Sequence, residues 1–189
     1  MAFRRGFKSQ CERRAVEVRK DLRLNNLAPL NAFDLANHFK ITVWSTIDIV
    51  QLSQIDQKNL NEDDEDSWSA LTLRDGIHNL IIYKEYQSKY RINSVVMHEL
   101  SHIMLGHELA NACKLEDGSV VPSNFTEDQE DEANWLAGTL LLPRPLLLFI
   151  EREKFSHQHV TEEFGVSQDM LIWRKRMTGV SYQIKNSYR

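Results

Sequence analysis

The sequence predicts an α+β fold: a small three-stranded sheet, a metal-binding helix packed against it, a glutamate-bearing helix facing that helix, and a C-terminal helical segment. Three observations lead there. Residues 98–102 read His-Glu-Leu-Ser-His inside a stretch whose apolar residues (Val95, Val96, Leu100, Ile103, Met104) recur at helical spacing. Two β-rich runs, 68–73 and 77–83, flank a turn at Asp75-Gly76 just before it. An acid-rich helix start at Thr126 and further helical patterns follow to the end.

Length and composition bound the rest. A chain of 189 residues suits one domain, or one with a small appendage. A hydrophobic content of 42% with 26% charged residues is enough for a real core. The net charge of −4 excludes a protein that binds polyanions with its whole surface. Charge is uneven, with eight Arg or Lys against three acids in residues 1–24 and five basic residues without an acid in 171–189; solvated helix faces account for such ends. Cys11 and Cys113 have neither zinc-ligand spacing nor the pattern of a disulfide framework, and Met1 to Arg14 has no apolar leader. The apolar run Leu136 to Ile150 is broken by Pro143-Arg144-Pro145, so no membrane span is expected. A cytoplasmic location is the expectation.

In order, Ser9 to Leu24 is predicted helical, with Ala15, Val16, Val18, Leu22 and Leu24 among Arg and Glu, closed by Asn25-Asn26 and Pro29. A short helix runs from Asn31, its N-cap, to Phe39, with Phe33, Leu35 and Ala36 inward. Ile41 to Trp44 is short and β-branched, hence a strand. Residues 45–60 select neither helix nor strand. Asn61 to Asp66 is a solvated acidic loop that lacks the glycine and ligand spacing of a calcium loop. The hairpin of 68–83 comes next, then the motif helix from Arg91 to Leu105, stopped by Gly106. Residues 106–124 are a connection containing Gly118 and Pro122. Thr126-Glu-Asp-Gln129 has the form of a capping box and opens a helix to Leu142, its acidic first turn favoured by the helix dipole. Pro145 to Glu153 and Val160 to Phe164 are helical, and Gly165-Val-Ser167 turns into a last amphipathic helix through Leu171, Ile172 and Met177.

The motif carries the chemistry. Residues four apart share a helix face, so the imidazoles of His98 and His102 can grip one zinc ion. Glu99 stands on the adjoining flank, placed to take a proton from a water that the metal activates. A catalytic zinc needs a third protein ligand and an open position. Leu105 and Glu108 exclude the metzincin pattern, which has Gly and His there. His107 falls half a turn round an ideal helix from His98, off the face unless the chain swings back after Gly106. The acid-rich helix is the better source: Glu130 and Asn134, four apart, offer a carboxylate to the metal and an amide to the imidazoles. Glu132 is the second candidate, and acids at a helix start are favourable in any case. Tyr83, Tyr86, Tyr90 and His107 are candidate donors to a developing oxyanion, unranked.

Two blocks, His98-Glu-Leu-Ser-His-Ile-Met-Leu-Gly-His107 and Glu130-Asp-Glu-Ala-Asn134-Trp-Leu-Ala-Gly-Thr-Leu-Leu-Leu-Pro143, together resemble the ImmA/IrrE family of zinc metallopeptidases. The likeness extends weakly through Pro29-Leu-Asn, the hairpin and Phe164-Gly-Val-Ser. It implies a zincin-like core over residues 1–142, N-terminal helices included, and a helix-turn-helix-like appendage over 143–189. It further implies His98, His102 and, by the Glu-x-x-x-Asn match, Glu130 as zinc ligands, with Glu99 as catalytic base. The implied partner is a protein substrate, since family members cut helix-turn-helix repressors of stress genes or mobile elements. Trp135 and Gly138 depart from the usual residues of the second block, which bears on the shape of the pocket. A rival reading is a zinc-stabilised regulator that binds a repressor or DNA with little proteolysis, pointing Arg174-Lys175-Arg176 at phosphates. The net charge weighs against DNA contact.

Overall fold

The metal-motif helix is built onto a sheet whose middle strand immediately precedes it. In the computed structural model, residues 3–49, 69–75, 78–107, 113–114, 120–121 and 125–187 are described. The acidic loop 61–66, Trp68, Gly76 of the expected hairpin turn, and Gly118 and Pro122 of the connection lie outside them. Among the described residues the helices are α1 (Phe7–Asp21), α2 (Ala32–His38), α3 (Lys89–Leu105), α4 (Glu127–Leu141), α5 (Arg144–Arg152), α6 (His157–Phe164), α7 (Gln168–Thr178) and α8 (Val180–Ser187). The strands are β1 (Thr42–Ser45), β2 (Ala70–Asp75) and β3 (His78–Tyr83), with a separate two-residue ladder of β4 (Cys113–Lys114) and β5 (Val120–Val121).

The three-stranded sheet has β3 at its centre, β1 parallel to it and β2 antiparallel. Asp75 pairs with His78, so β2 runs two residues beyond its expected end and the polar Arg74 and Asp75 stay in the ladder. Ladder bonds need only backbone groups, which is why the apolar pattern alone misplaces such an end. Thr72 and Ile81 oppose each other directly, and both are buried. β1 begins one residue later than expected because the Ile41 N–H donates to the Ala36 carbonyl at 2.9 Å, closing α2.

Caps locate the helices. The Asn31 side chain accepts from the Phe33 N–H, Ser88 from Arg91, and Ser167 from Met170. At Thr126 both halves of the capping box are present. α1 stops short of Leu24 because Arg23 turns left-handed (φ 58°). Past α7, Gly179 (φ 64°) restarts the chain as α8, a break that the sequence reading ran through.

The core gathers Phe7, Ala15, Val96, Leu100, Leu140 and Leu146, and it continues through Val160, Phe164, Leu171 and Val180 of the C-terminal helices. α3 holds the turn before α7: the Asn93 amide donates to the Gly165 carbonyl at 2.7 Å, and the Ser94 hydroxyl accepts from the Ser167 N–H at 3.0 Å. Gly138 of α4 lets α7 approach closely, since a Cβ there would lie 2.8 Å from the Trp173 ring. Arg174 is fully buried, donating to Glu12 of α1 at 2.6 Å and to the Leu142 carbonyl at 3.2 Å. Lys175 pairs with Glu151. Two of the three cations that the rival reading aimed at phosphates therefore face partners inside the protein. No single helix among the described residues is long and apolar enough to cross a membrane; α4 and α5 pass that test only together, bent by 56°.

Candidate metal centre

α3 and α4 pack side by side and bring three donors together. His98 and His102 sit one turn apart on α3, their Nε2 atoms 3.0 Å from each other. Glu130, in the first turn of α4, places Oε2 at 3.2 Å from His98 Nε2 and Oε1 at 3.6 Å from His102 Nε2. A tetrahedral ion with ligand bonds near 2.05 Å separates its ligand atoms by about 3.3 Å. The three observed separations bracket that value, and two imidazoles with one carboxylate are a donor set of catalytic zinc sites. The residues fit the ion. Of the two acids weighed for the third position, Glu130 joins the histidines, whereas Glu132 lies 3.2 Å from His107.

Burial and charge suit the purpose. Burial, with His98 and His107 adjoining, pushes the His102 imidazole down to about 2, so it stays neutral with a lone pair to give. At His98 burial opposes the charged form, but hydrogen bonding to Glu130 and the fields of Glu99 and Glu130 outweigh it, and the net shift is upward. Asn134, one turn beyond Glu130, adds the smallest of these upward contributions and lines the same cleft as His98.

Glu99 is 7% exposed. Burial holds its carboxyl above the usual range, opposed by His98 and by a hydrogen bond from Thr72. That bond, Thr72 Oγ1 to Glu99 Oε2 at 2.6 Å, was not anticipated from the sequence, where a lone threonine in a strand carries no local signal. His107 was set aside as off the helix face. Gly106 at φ 69° brings it back, with Nδ1 at 3.0 Å from His102 Nδ1. It meets the rear nitrogen of His102 rather than the donor cluster. The tyrosines make other contacts: Tyr83 packs edge-on against Phe33, Tyr86 is 76% exposed, and Lys89 lies over Tyr90. Beside His98 opens a cleft of about 320 Å³ lined by Arg91, Val95, Asn134, Asp169, Met170 and Trp173, between α3, α4 and α7.

Helix-borne histidines facing an acid helix, on a small mixed sheet, define an α+β, zincin-like metallopeptidase fold. Residues 50–174, about two-thirds of the chain, match the peptidase M78 family, described as the IrrE N-terminal-like domain. The chain belongs to that family. No curated protein matches it. Among solved structures, a Mycobacterium tuberculosis transcriptional regulator superposes with a TM-score of 0.48 at 13% identity, over 89% of this chain and 46% of that one. The chain thus spans less than half the length of that regulator.

Proposed function

We propose that this protein is a zinc-dependent endopeptidase that cuts a helix-turn-helix repressor or antitoxin and so releases stress or mobile-element genes. The observation that carries the reading is the convergence of His98, His102 and Glu130 with Glu99 buried alongside. Family membership supports the peptidase class, and the choice of target rests on the resemblance to metallopeptidases that cut such repressors.

His98, His102 and Glu130 would hold the zinc, which when bound would supply Lewis acidity to water and to a peptide carbonyl. The chain's own groups do the rest. Thr72 holds Oε2 of Glu99 and leaves Oε1 to take the proton of the attacking water and deliver it to the departing amine nitrogen. Asn134 keeps the His98 ring oriented. Among the described residues β2 pairs on one side only, so its outer edge offers an extended substrate segment a strand to lie against. The cleft beside His98 receives a flanking side chain, apolar against Val95, Met170 and Trp173.

A division of labour follows. Residues 1–142 carry the chemistry as the zincin-like unit, and 143–189 form the helical segment that docks the repressor, the two sharing one core. The burial of Arg174 favours protein docking over DNA contact as the use of this segment. The test is incubation of the zinc-loaded protein with a helix-turn-helix repressor from the same genome, a neighbouring gene being the first source to try. Cleavage that stops on chelation and returns with zinc is expected. Binding of the repressor without cleavage would favour the sequestering regulator instead.

A further inference from the structure

Behind the donor cluster runs a second polar chain that the steps above leave unused. The turn at Gly106 lets the His107 N–H donate to the His102 carbonyl at 3.0 Å. Its ring then lies with Nδ1 at 3.0 Å from His102 Nδ1 and Nε2 at 3.2 Å from Glu132 Oε2. The His107 side chain is only 7% exposed. Arg4 approaches the other carboxylate oxygen of Glu132, Oε1, at 3.9 Å. Phe125 stacks on the His102 ring, with centroids 3.6 Å apart.

We propose that Glu132 and His107 are positioning residues that set the tautomer and ring orientation of His102 for metal ligation. The inference rests on the metal reading given above and follows from counting protons. His102 turns Nε2 toward His98 and Glu130, so as a ligand it presents its lone pair there. A neutral imidazole has one N–H, which must then sit on Nδ1. At hydrogen-bond distance from that N–H is His107 Nδ1, which must offer a lone pair. The proton of His107 therefore sits on Nε2 and points at Glu132, and an ionised carboxylate only accepts. The direction is fixed from the acid end: His102 donates to His107, and His107 to Glu132. Reversing either ring would set two N–H groups, or two lone pairs, against each other at 3.0 Å. A buried imidazole inserted between ligand and carboxylate does what a carboxylate bonded directly to a ligating histidine does elsewhere, one ring further out.

The experiment is zinc affinity, measured on the full chain by competition with a chromophoric chelator. Loss of an outer partner of a metal-bound histidine weakens binding by about 10- to 100-fold. His107→Phe, which keeps an aromatic ring but loses the acceptor, should weaken zinc by that factor. His107→Asn restores an acceptor near the position of Nδ1 and should recover most of it, which a packing role would not predict. Glu132→Leu should weaken zinc in the same sense. Wild-type affinity in His107→Phe, or equal weakness in Phe and Asn variants, overturns the relay. Where a variant fails to fold, long-range proton–nitrogen spectra of the zinc-loaded wild type decide. His102 with its proton on Nδ1 and His107 with its proton on Nε2 are expected, and the opposite tautomer of His107 overturns the proposal. A wild type that binds no zinc overturns both this and the metal reading. Tight zinc with the expected variant pattern, but no cleavage of the repressor, overturns only the peptidase reading.

Discussion

Thr72 donates its hydroxyl proton to Oε2 of Glu99 at 2.6 Å, so the sheet holds the carboxylate that the motif helix carries. The two residues lie 27 positions apart and meet because Thr72 occupies a buried site on β2, opposite Ile81. One Glu99 oxygen is thereby pinned, and in the proposed reaction the other takes the proton. The helix alone places the side chain; the strand aims it.

Glu99→Gln is the sharpest consequence. Glutamine is nearly isosteric and its amide oxygen can still accept from Thr72, so fold and metal should be retained. It cannot take a proton at neutral pH, and general-base help is worth about a hundred- to ten-thousand-fold in rate. Zinc content equal to wild type with repressor cleavage lost is the expected pair of measurements. Undiminished cleavage would leave the peptidase mechanism without its base.

Removing the third donor should act on the metal itself. Glu130→Ala leaves two imidazoles, which do not complete a catalytic zinc site. Elemental analysis after dialysis against buffer containing saturating zinc should find Glu130→Ala depleted of zinc, whereas Glu132→Ala, which loses the contacts with His107 and Arg4, should still carry it. The reverse result would move the ligand to Glu132.

Gly138→Ala sets two effects against each other. Alanine favours a helix interior over glycine by about 1 kcal/mol. The added methyl would lie 2.8 Å from the Trp173 ring, 3.2 Å from Arg174 and 3.3 Å from the Met170 sulfur. Overpacking of this kind costs about 1–3 kcal/mol, so a net loss near 1 kcal/mol is expected in urea unfolding. Trp173 must shift to make room, altering the cleft beside His98. A gain in stability would show that α7 moves away from α4 at no cost.

Cys11 gives the pH prediction. Burial pushes its thiol up to about 12. The folded protein thus keeps the proton through the range in which an unfolded cysteine, near 9, loses it. Between those values the folded state binds more protons than the unfolded one, so this group's contribution to stability falls as pH rises from about 9 toward 12. At pH 8 the Cys11 peptide should escape alkylation in the native protein and be labelled after unfolding, as read by mass spectrometry. Rapid native labelling would contradict the burial.

Legibility tracks how local each determinant is. The histidine pair, the Thr126 capping box and the Ser167 cap are set by neighbours within one turn, and spacing alone finds them. The candidate third donor was narrowed to α4 by the same local spacing, and the packing of α3 on α4 brings Glu130 rather than Glu132 to the histidines. Thr72 could not be read, because its partner is chosen by strand register. Arg174 misled for a related reason: in Arg174-Lys175-Arg176 the three charges look alike, and only the tertiary partner Glu12 marks one as interior. At His107, one left-handed glycine redirected a side chain that helix periodicity had sent the other way.

The pairing of Glu12 with Arg174 also has a consequence in time. The partners are 162 residues apart, so at about 5–20 residues per second roughly 8 to 30 s of synthesis separate them. Both blocks of the metal site are made within that interval, ahead of the cation that neutralises Glu12. Until Arg174 arrives, Glu12 has the Arg144 N–H, 3.0 Å from Oε2, but not the guanidinium that binds Oε1. A chain cut before that residue carries all three candidate metal donors but lacks the buried pair that ties α1 to α7.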